Sequence, residues 1–355
     1  MRKLLRFIAF VLVLCVNIGI IAFVLPFADY KDVLHIKGFF YEPEDSVDVA
    51  LIGASELYAG FNSPMAWDEF GFTSYSFCYG AMPGNHYKLA LDEIMSRQNP
   101  RLIIVEFNGL LQQDGYFDDI PKHHTVLDNV PFDKIRRQYI SEIVPKENQA
   151  EFRFNFIKYH DNWKRVATSF VNLKNKTEMF IHGISYTKAF STNNTIDPEL
   201  TPREFTPQLS KTSEECLVNL LEYCNELGIK NMLFMRFPHY LNNHNEACYD
   251  DVKNIVNKYG YDFVNFEKSF DETGIDPKHD FYNCDHLNVW GMEKFTPFFG
   301  KYITEHYDVI TQHSEKDIEM WNKCAEKMKK LMVLSETVAP PVNRKFYFEP
   351  DGYKF

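Results

Sequence analysis

Residues Val47 to Ile52 constrain the fold more than any other stretch. They carry apolar side chains on both faces and run straight into Gly53-Ala54-Ser55. A strand that is apolar on both sides needs cover on both sides, as a central strand of a parallel sheet does. Leu102 to Phe107 (Leu-Ile-Ile-Val-Glu-Phe) repeats the pattern and ends at Asn108-Gly109. Between the two lie a weaker strand, Phe72 to Tyr79, and the loop Gly80-Ala81-Met82-Pro83-Gly84. A helix then runs from about Asn85 to Gln98, with Leu89, Leu91, Ile94 and Met95 on its apolar side, and Pro100 stops it. This succession is a parallel strand, helix and strand unit.

The same alternation returns at Thr212. Thr212-Ser-Glu-Glu215 reads as a capping box for a helix with Cys216, Leu217, Leu220, Leu221 and Cys224 inward, closed by Gly228. Strand Asn231 to Phe237, helix Glu246 to Lys258 and strand Tyr261 to Phe266 follow. A helix carrying Phe295, Phe298, Phe299 and Ile303 comes next, and residues 314–334 form an amphipathic helix. The pattern predicts an α/β chain, a three-layer α/β/α sandwich around a mostly parallel sheet. Its core domain spans 45–310. Residues 110–205 read as an insertion, with some helix around 131–175, that forms either a wall or lid of the site or a solvated decoration. His123, His124 and His160 there have no ligand-like spacing. Residues 311–355 form the C-terminal helix and tail, the latter aromatic and basic from Ala339-Pro-Pro onward, with room to lie back along the domain.

Phe7 to Phe27 is a 21-residue run whose one strongly polar member is Asn17. At about 1.5 Å per residue it crosses a roughly 30 Å hydrocarbon core. Residues 1–27 are therefore a cytoplasmic tip and transmembrane anchor, and 28–44 a polar and aromatic connector. Arg2, Lys3 and Arg6 precede the run, so the positive-inside bias keeps the amino terminus cytoplasmic and the rest of the chain outside. A cleaved signal peptide is the alternative, against which stand the length of the run and the lack of a small-x-small cleavage site. The formal charge is −11, and without the three basic residues of the tip it is −14 on residues 28–355. Such acidity argues against nucleic acid or an anionic lipid surface as partner. Of seven cysteines, Cys15 lies in the apolar run and the other six show no CxxC pair, so structural zinc and thioredoxin-like chemistry are poorly supported. Disulfides are permitted outside the cytoplasm but not demanded in a domain this large. Asn175-Lys-Thr177 and Asn193-Asn-Thr195 match the glycosylation pattern.

Two motifs carry chemistry. Gly53-Ala-Ser55-Glu56 puts a serine on a tight turn past a strand end, where its hydroxyl and the next N–H groups can face an ester. Asp280-Phe-Tyr-Asn283-Cys284-Asp285-His286-Leu-Asn288 puts a histidine on a loop before a helix. Sites of parallel α/β sheets form at the carboxyl ends of the strands, which both motifs follow. A serine nucleophile needs a base, the base an orienting acceptor on its other nitrogen, and the oxyanion two or three N–H donors. Cys284 as nucleophile has no helix amino terminus beneath it.

The blocks Gly53-Ala-Ser55, the Gly80 loop, Asn108 and His286-Leu-Asn-x-x-Gly291 resemble the SGNH/GDSL hydrolase superfamily over roughly residues 45–310. The amino-terminal anchor and Gly-x-Ser-Glu turn look most like its membrane-anchored cell-envelope branch, which includes the DltD-like teichoic-acid D-alanylation proteins and polysaccharide O-acetyltransferases. The resemblance implies a flavodoxin-like SGNH fold. It implies Ser55 as nucleophile, His286 as general base, and the Ser55 N–H, Gly80 N–H and Asn108 amide as oxyanion hole. Two departures stand out: Glu106-Phe-Asn108-Gly109 replaces the family's Gly-x-Asn-Asp, and Asn283 occupies the position of its acid, three residues before the histidine. Asp285 ranks first as third member on charge, with Asn283 as a neutral orienting group and Asp280 as further alternatives. The function implied is an extracytoplasmic, membrane-anchored esterase or O-acyltransferase. It needs no cofactor or metal, acts on an envelope glycan or teichoic acid, and allows a membrane-bound acyltransferase as partner. The rival is a catalytically weak scaffold subunit that keeps the fold. An anchored lipase is a third reading, but no broad apolar lid sequence flanks the site.

Overall fold

The computed structural model describes residues 2–24, 31–112, 115–154, 158–167, 169–170, 185–186, 188–196, 209–240 and 246–337. The chain is α/β. Its main sheet is parallel and five-stranded, built from β1 (Val49–Gly53), β2 (Ser74–Cys78), β3 (Leu102–Glu106), β4 (Met232–Arg236) and β5 (Asp262–Asn265) in the order β2-β1-β3-β4-β5. Leu51 of β1 stands level with Ser76 of β2 and Ile104 of β3. Strands β1 to β4 are buried along their whole length, as the double-sided apolar character of β1, β3 and β4 requires, while β5 is a partly exposed edge. Each Leu, Ile, Val or Phe removed from water in this core contributes about 1.5–3 kcal/mol.

Helix α1 (Arg2–Val24) is long and apolar enough to cross a membrane, with mean hydropathy 2.6 over Arg2–Ile21 and its large apolar side chains exposed. Residues 25–27 of the expected span lie outside the described residues. The expected connector contains a helix, α2 (Lys31–Phe39), whose Ile36 and Phe39 are fully buried. Phe39 meets Tyr75 and Phe77 of β2 edge-on, with ring centroids 5.5 Å apart in each case. Two turns are too few to show a period in sequence, yet the i, i+3 spacing of Ile36 and Phe39 seals the edge of the sheet.

Helices α3 (Ser55–Gly60), α4 (Ser63–Phe70) and α5 (Tyr87–Met95) connect the first three strands. The Asn62 side chain caps α4 by accepting from the Met65 N–H at 3.1 Å, and Gly71 ends it at φ 78. In the insertion, α6 (Ile120–Leu127), α7 (Lys134–Ile143) and α8 (Gln149–Arg153) are described, whereas residues 171–184 and 197–208 lie outside the described residues. Helix α6 packs on α2 and α7 on α5, so this part of the insertion belongs to the body of the fold. Asp128 ties it together by accepting from the His124 Nδ1 at 2.8 Å, Tyr159 hydroxyl at 2.7 Å and Arg136 at 3.3 Å.

Helix α9 (Lys211–Glu226) starts one residue before the expected box. Ser210 is its cap, accepting from the Ser213 N–H at 3.1 Å, because that hydroxyl reaches the N3 amide that Thr212 cannot. Helix α10 (Glu246–Lys258) precedes β5. Strands β6 (Phe281–Asn283) and β7 (His286–Leu287) form an antiparallel hairpin where a loop was expected. Helices α11 (Val289–His306) and α12 (Glu315–Thr337) complete the described chain, α12 packing on α4; the tail from residue 338 lies outside the described residues. Asn193 is buried, with its Oδ1 accepting from the Thr195 N–H at 2.8 Å; Asn175 lies outside the described residues. All seven cysteines are free thiols.

Candidate active site

Ser55 opens α3 immediately beyond β1. The turn is tight: a Cβ on Gly53 would stand 2.7 Å from the Glu106 Cβ of β3, so only glycine lets the two strand ends approach. As the first residue of a helix, Ser55 has an N–H that no intrahelical carbonyl takes up. Its side chain is half-buried, and its Oγ lies 2.6 Å from the Nε2 of His286.

Behind the ring, the Nδ1 of His286 lies 2.8 Å from the Oδ1 of Asn283. An amide oxygen accepts, so Nδ1 carries the proton and Nε2 is left to accept from the Ser55 hydroxyl. The hairpin creates this alignment. Asn283 and His286 are paired across β6 and β7, which places their side chains on one face, while Cys284 and Asp285 form the two-residue turn between them. Tyr282 stacks on the His286 ring with centroids 5.1 Å apart.

The ranking of Asp285 ahead of Asn283 is corrected by this register. The Asp285 N–H donates to the same Asn283 Oδ1 at 3.0 Å, and its carboxylate accepts from the Cys284 thiol at 3.3 Å. Asp280 is committed elsewhere, accepting from the Lys294 Nζ at 2.6 Å, the His279 Nδ1 at 2.8 Å and the Asp276 N–H at 2.7 Å. Burial would raise its carboxyl, but Lys294 and His279 hold it below the usual range. It anchors the start of α11, where Asn288 caps the helix by accepting from the Trp290 and Gly291 N–H groups.

The oxyanion candidates flank the serine because β2 and β3 are the two neighbours of β1, at the point where the strand order reverses. Gly80 lies half-buried in the turn after β2, next to Ala81 at φ 57. Asn108 follows β3, and its amide is clamped on both sides: Nδ2 donates to the Glu56 Oε1 and Oδ1 accepts from the Arg236 Nη1 at 2.8 Å. One amide proton remains beyond the bond to Glu56.

Beneath these groups lies a charged layer that sequence reasoning did not assemble. It contains Glu56, Glu106, Arg236, His239 and Glu267, all buried. Arg236 stands 3.8 Å from Glu106 and 3.9 Å from Glu267, and His239 Nε2 stands 3.5 Å from Glu56. Burial works against the Glu56 charge, yet His239, His286 and Arg236 outweigh it and hold that carboxyl at about 2. Burial and the neighbouring Glu56 charge push Glu106 well above the usual range. Glu56 is thus the anion of the pair. Burial also opposes the Arg236 charge, but Tyr249, Glu267, Glu106 and Glu56 prevail and push it up. A signal was present in the sequence: Glu106 and Arg236 each end an otherwise apolar buried strand, where a charge is tolerated only with a partner. Among the described residues, no cluster of three or more His, Cys, Asp and Glu is arranged to hold a metal ion. The chain matches no protein-family model, no curated protein and no solved structure, so any functional reading rests on these residues alone.

Proposed function

We propose that the chain is an extracytoplasmic, membrane-anchored serine acyl-transfer enzyme of SGNH type, an esterase or O-acyltransferase acting on a cell-envelope glycan or teichoic acid. The observation that carries this reading is the chain of contacts from Ser55 Oγ to His286 Nε2 and from His286 Nδ1 to Asn283. The strand order supports a doubly wound, three-layer arrangement, since 2-1-3-4-5 is the flavodoxin-like order. The apolar α1 behind three basic residues supports a cytoplasmic amino terminus with the site outside.

In this mechanism Ser55 Oγ attacks the ester carbonyl carbon while its proton passes to His286 Nε2. The Ser55 N–H, the Gly80 N–H and the remaining Asn108 amide proton receive the oxyanion. Collapse breaks the bond to the leaving alcohol, whose oxygen takes the proton from Nε2, and an acyl-Ser55 ester remains. A water or acceptor hydroxyl then gives its proton to His286, attacks the acyl carbon and releases Ser55, which regains the proton. The full-length chain in detergent, treated with a fluorophosphonate, should carry the label on Ser55, and Ser55→Ala should carry none. Absence of label on the parent, or equal labelling of the variant, refutes the proposal.

The second reading is a scaffold subunit with a weakened site, and the neutral Asn283 favours it. It predicts negligible turnover of activated esters by the parent chain and a large gain on Asn283→Asp.

A further inference from the structure

The group that orients His286 at Nδ1 is a neutral amide, that of Asn283. Another carboxylate, Glu56, stands on the helix that packs against the strand of His286. Glu56 follows the nucleophile in sequence and sits at the second position of α3, a place where glutamate ordinarily reaches into solvent and favours the helix dipole. Here it is 2% exposed. Helix α3 packs directly on β7, the strand of His286. Its Oε1 is occupied by the Asn108 amide, whereas Oε2 is buried with no hydrogen-bond partner among the described residues. Burying a carboxylate in this way costs several kcal/mol unless its charge is compensated.

The charged groups near Glu56 lie at or beyond the ends of β3, β4 and β5. Arg236 at the end of β4 is shared with Glu106 at the end of β3 and Glu267 after β5. His239 beyond β4 turns its Nδ1 to the Phe237 carbonyl at 2.8 Å and its Nε2 to Glu56. Tyr87 of α5 is directed at the Glu106 carbonyl, at 2.9 Å. The guanidinium pairs with Glu106 and Glu267, His239 faces Glu56, and the ring that gains charge during acyl transfer is His286.

We propose that Glu56 is the counter-ion of the His286 imidazolium: Asn283 orients the ring, and the buried carboxylate beside the nucleophile supplies the negative charge that favours proton transfer from Ser55. The proposal rests on the Ser55–His286 reading above and makes Glu56 a positioning residue that acts through His286. It also accounts for the bond from Asn108 to Glu56, which couples the oxyanion loop to the same charge.

The test uses the full-length chain in detergent, with ¹⁵N-labelled histidine and His286 assigned by its loss in His286→Gln. In Glu56→Gln the midpoint of the His286 titration should fall by about one pH unit, because an anion nearby favours the protonated ring. Fluorophosphonate labelling near neutral pH should slow by about tenfold. Glu56→Asp should keep the parent midpoint, and Asn283→Asp/Glu56→Gln should recover it, since charge returns on the far side of the ring. A purely structural role predicts a loss of labelling in both Glu56 variants with no shift of midpoint, which overturns the proposal. Should Glu56→Gln not fold, Glu56→Met removes the charge at similar volume and carries the same expectation. A parent chain that never labels at Ser55 refutes the acyl-transfer reading, while the titration shift still decides the ion pairing.

Discussion

Replacing Asn283 by Asp changes one atom type and adds one charge at the far side of His286. The Oδ1 contact of 2.8 Å already fixes the tautomer, so the substitution isolates charge from orientation. A unit charge about 4 Å from the imidazolium is worth roughly 4 kcal/mol at an effective dielectric of about 20. Partial solvent access to His286, desolvation of the new carboxylate and the charge on Glu56 offset most of that, leaving about 1–2 kcal/mol, or roughly a five- to thirtyfold faster acylation. The sign has a second consequence. A carboxylate favours the protonated ring and the base must be neutral, so the acid limb of the pH–rate profile should move to higher pH. Asn283→Asp should therefore exceed the parent at alkaline pH and fall below it at acidic pH. Asn283→Ala, which removes the acceptor, should slow acylation by at least about a hundredfold. The assay is the rate of fluorophosphonate labelling and of p-nitrophenyl acetate hydrolysis from about pH 5 to 9 with the chain in detergent. An unshifted limb in Asn283→Asp, together with loss of activity in Asp285→Asn, would show that Asp285 holds the ring.

The charged layer and the turn make further predictions. Arg236→Met strips the partner from Glu106, Glu267 and the Asn108 carbonyl oxygen at once, and should destabilise the fold by about 3–5 kcal/mol in a denaturant melt. Gly53→Ala forces a Cβ against Glu106 and Leu57, costing about 1–3 kcal/mol and slowing Ser55 labelling through displacement of the turn; unchanged stability would refute the close approach. Tyr79, His86 and His123 form a buried chain in which the His86 Nε2 and His123 Nδ1, 2.7 Å apart, share one proton. Burial depresses both histidines, His123 to about 4. The unfolded chain therefore binds protons that the folded chain refuses between about pH 6.5 and 4, and stability is lost as pH falls through that window. His123→Gln should remove about 2 kcal/mol of this dependence in melts at pH 4 and 7.

The strands were legible because burial on both faces leaves a mark that no tertiary context is needed to read: Val47–Ile52 and Leu102–Phe107 lie within a residue or two of β1 and β3. Gly228 and Gly260 were legible as helix ends for a similar local reason, and both adopt positive φ. Ser55 and His286 were legible as types on turns, but their 2.6 Å contact depends on a hairpin of only three and two residues. Such a hairpin has no periodicity to detect, and without it Asp285 outranks Asn283 on charge alone. Once β6 and β7 pair, the order inverts: residues 283 and 286 share a face, and residues 284 and 285 are spent on the turn. The burial of Glu56 was illegible for the same local reason. A glutamate in the first turn of a helix satisfies the dipole wherever it points, so nothing in Gly53-Ala-Ser55-Glu56 distinguishes a solvated carboxylate from a buried one. The distinction lies fifty and nearly two hundred residues away, in Asn108 and His239, whose side chains meet the Glu56 carboxylate, and in Arg236, which holds the Asn108 carbonyl oxygen.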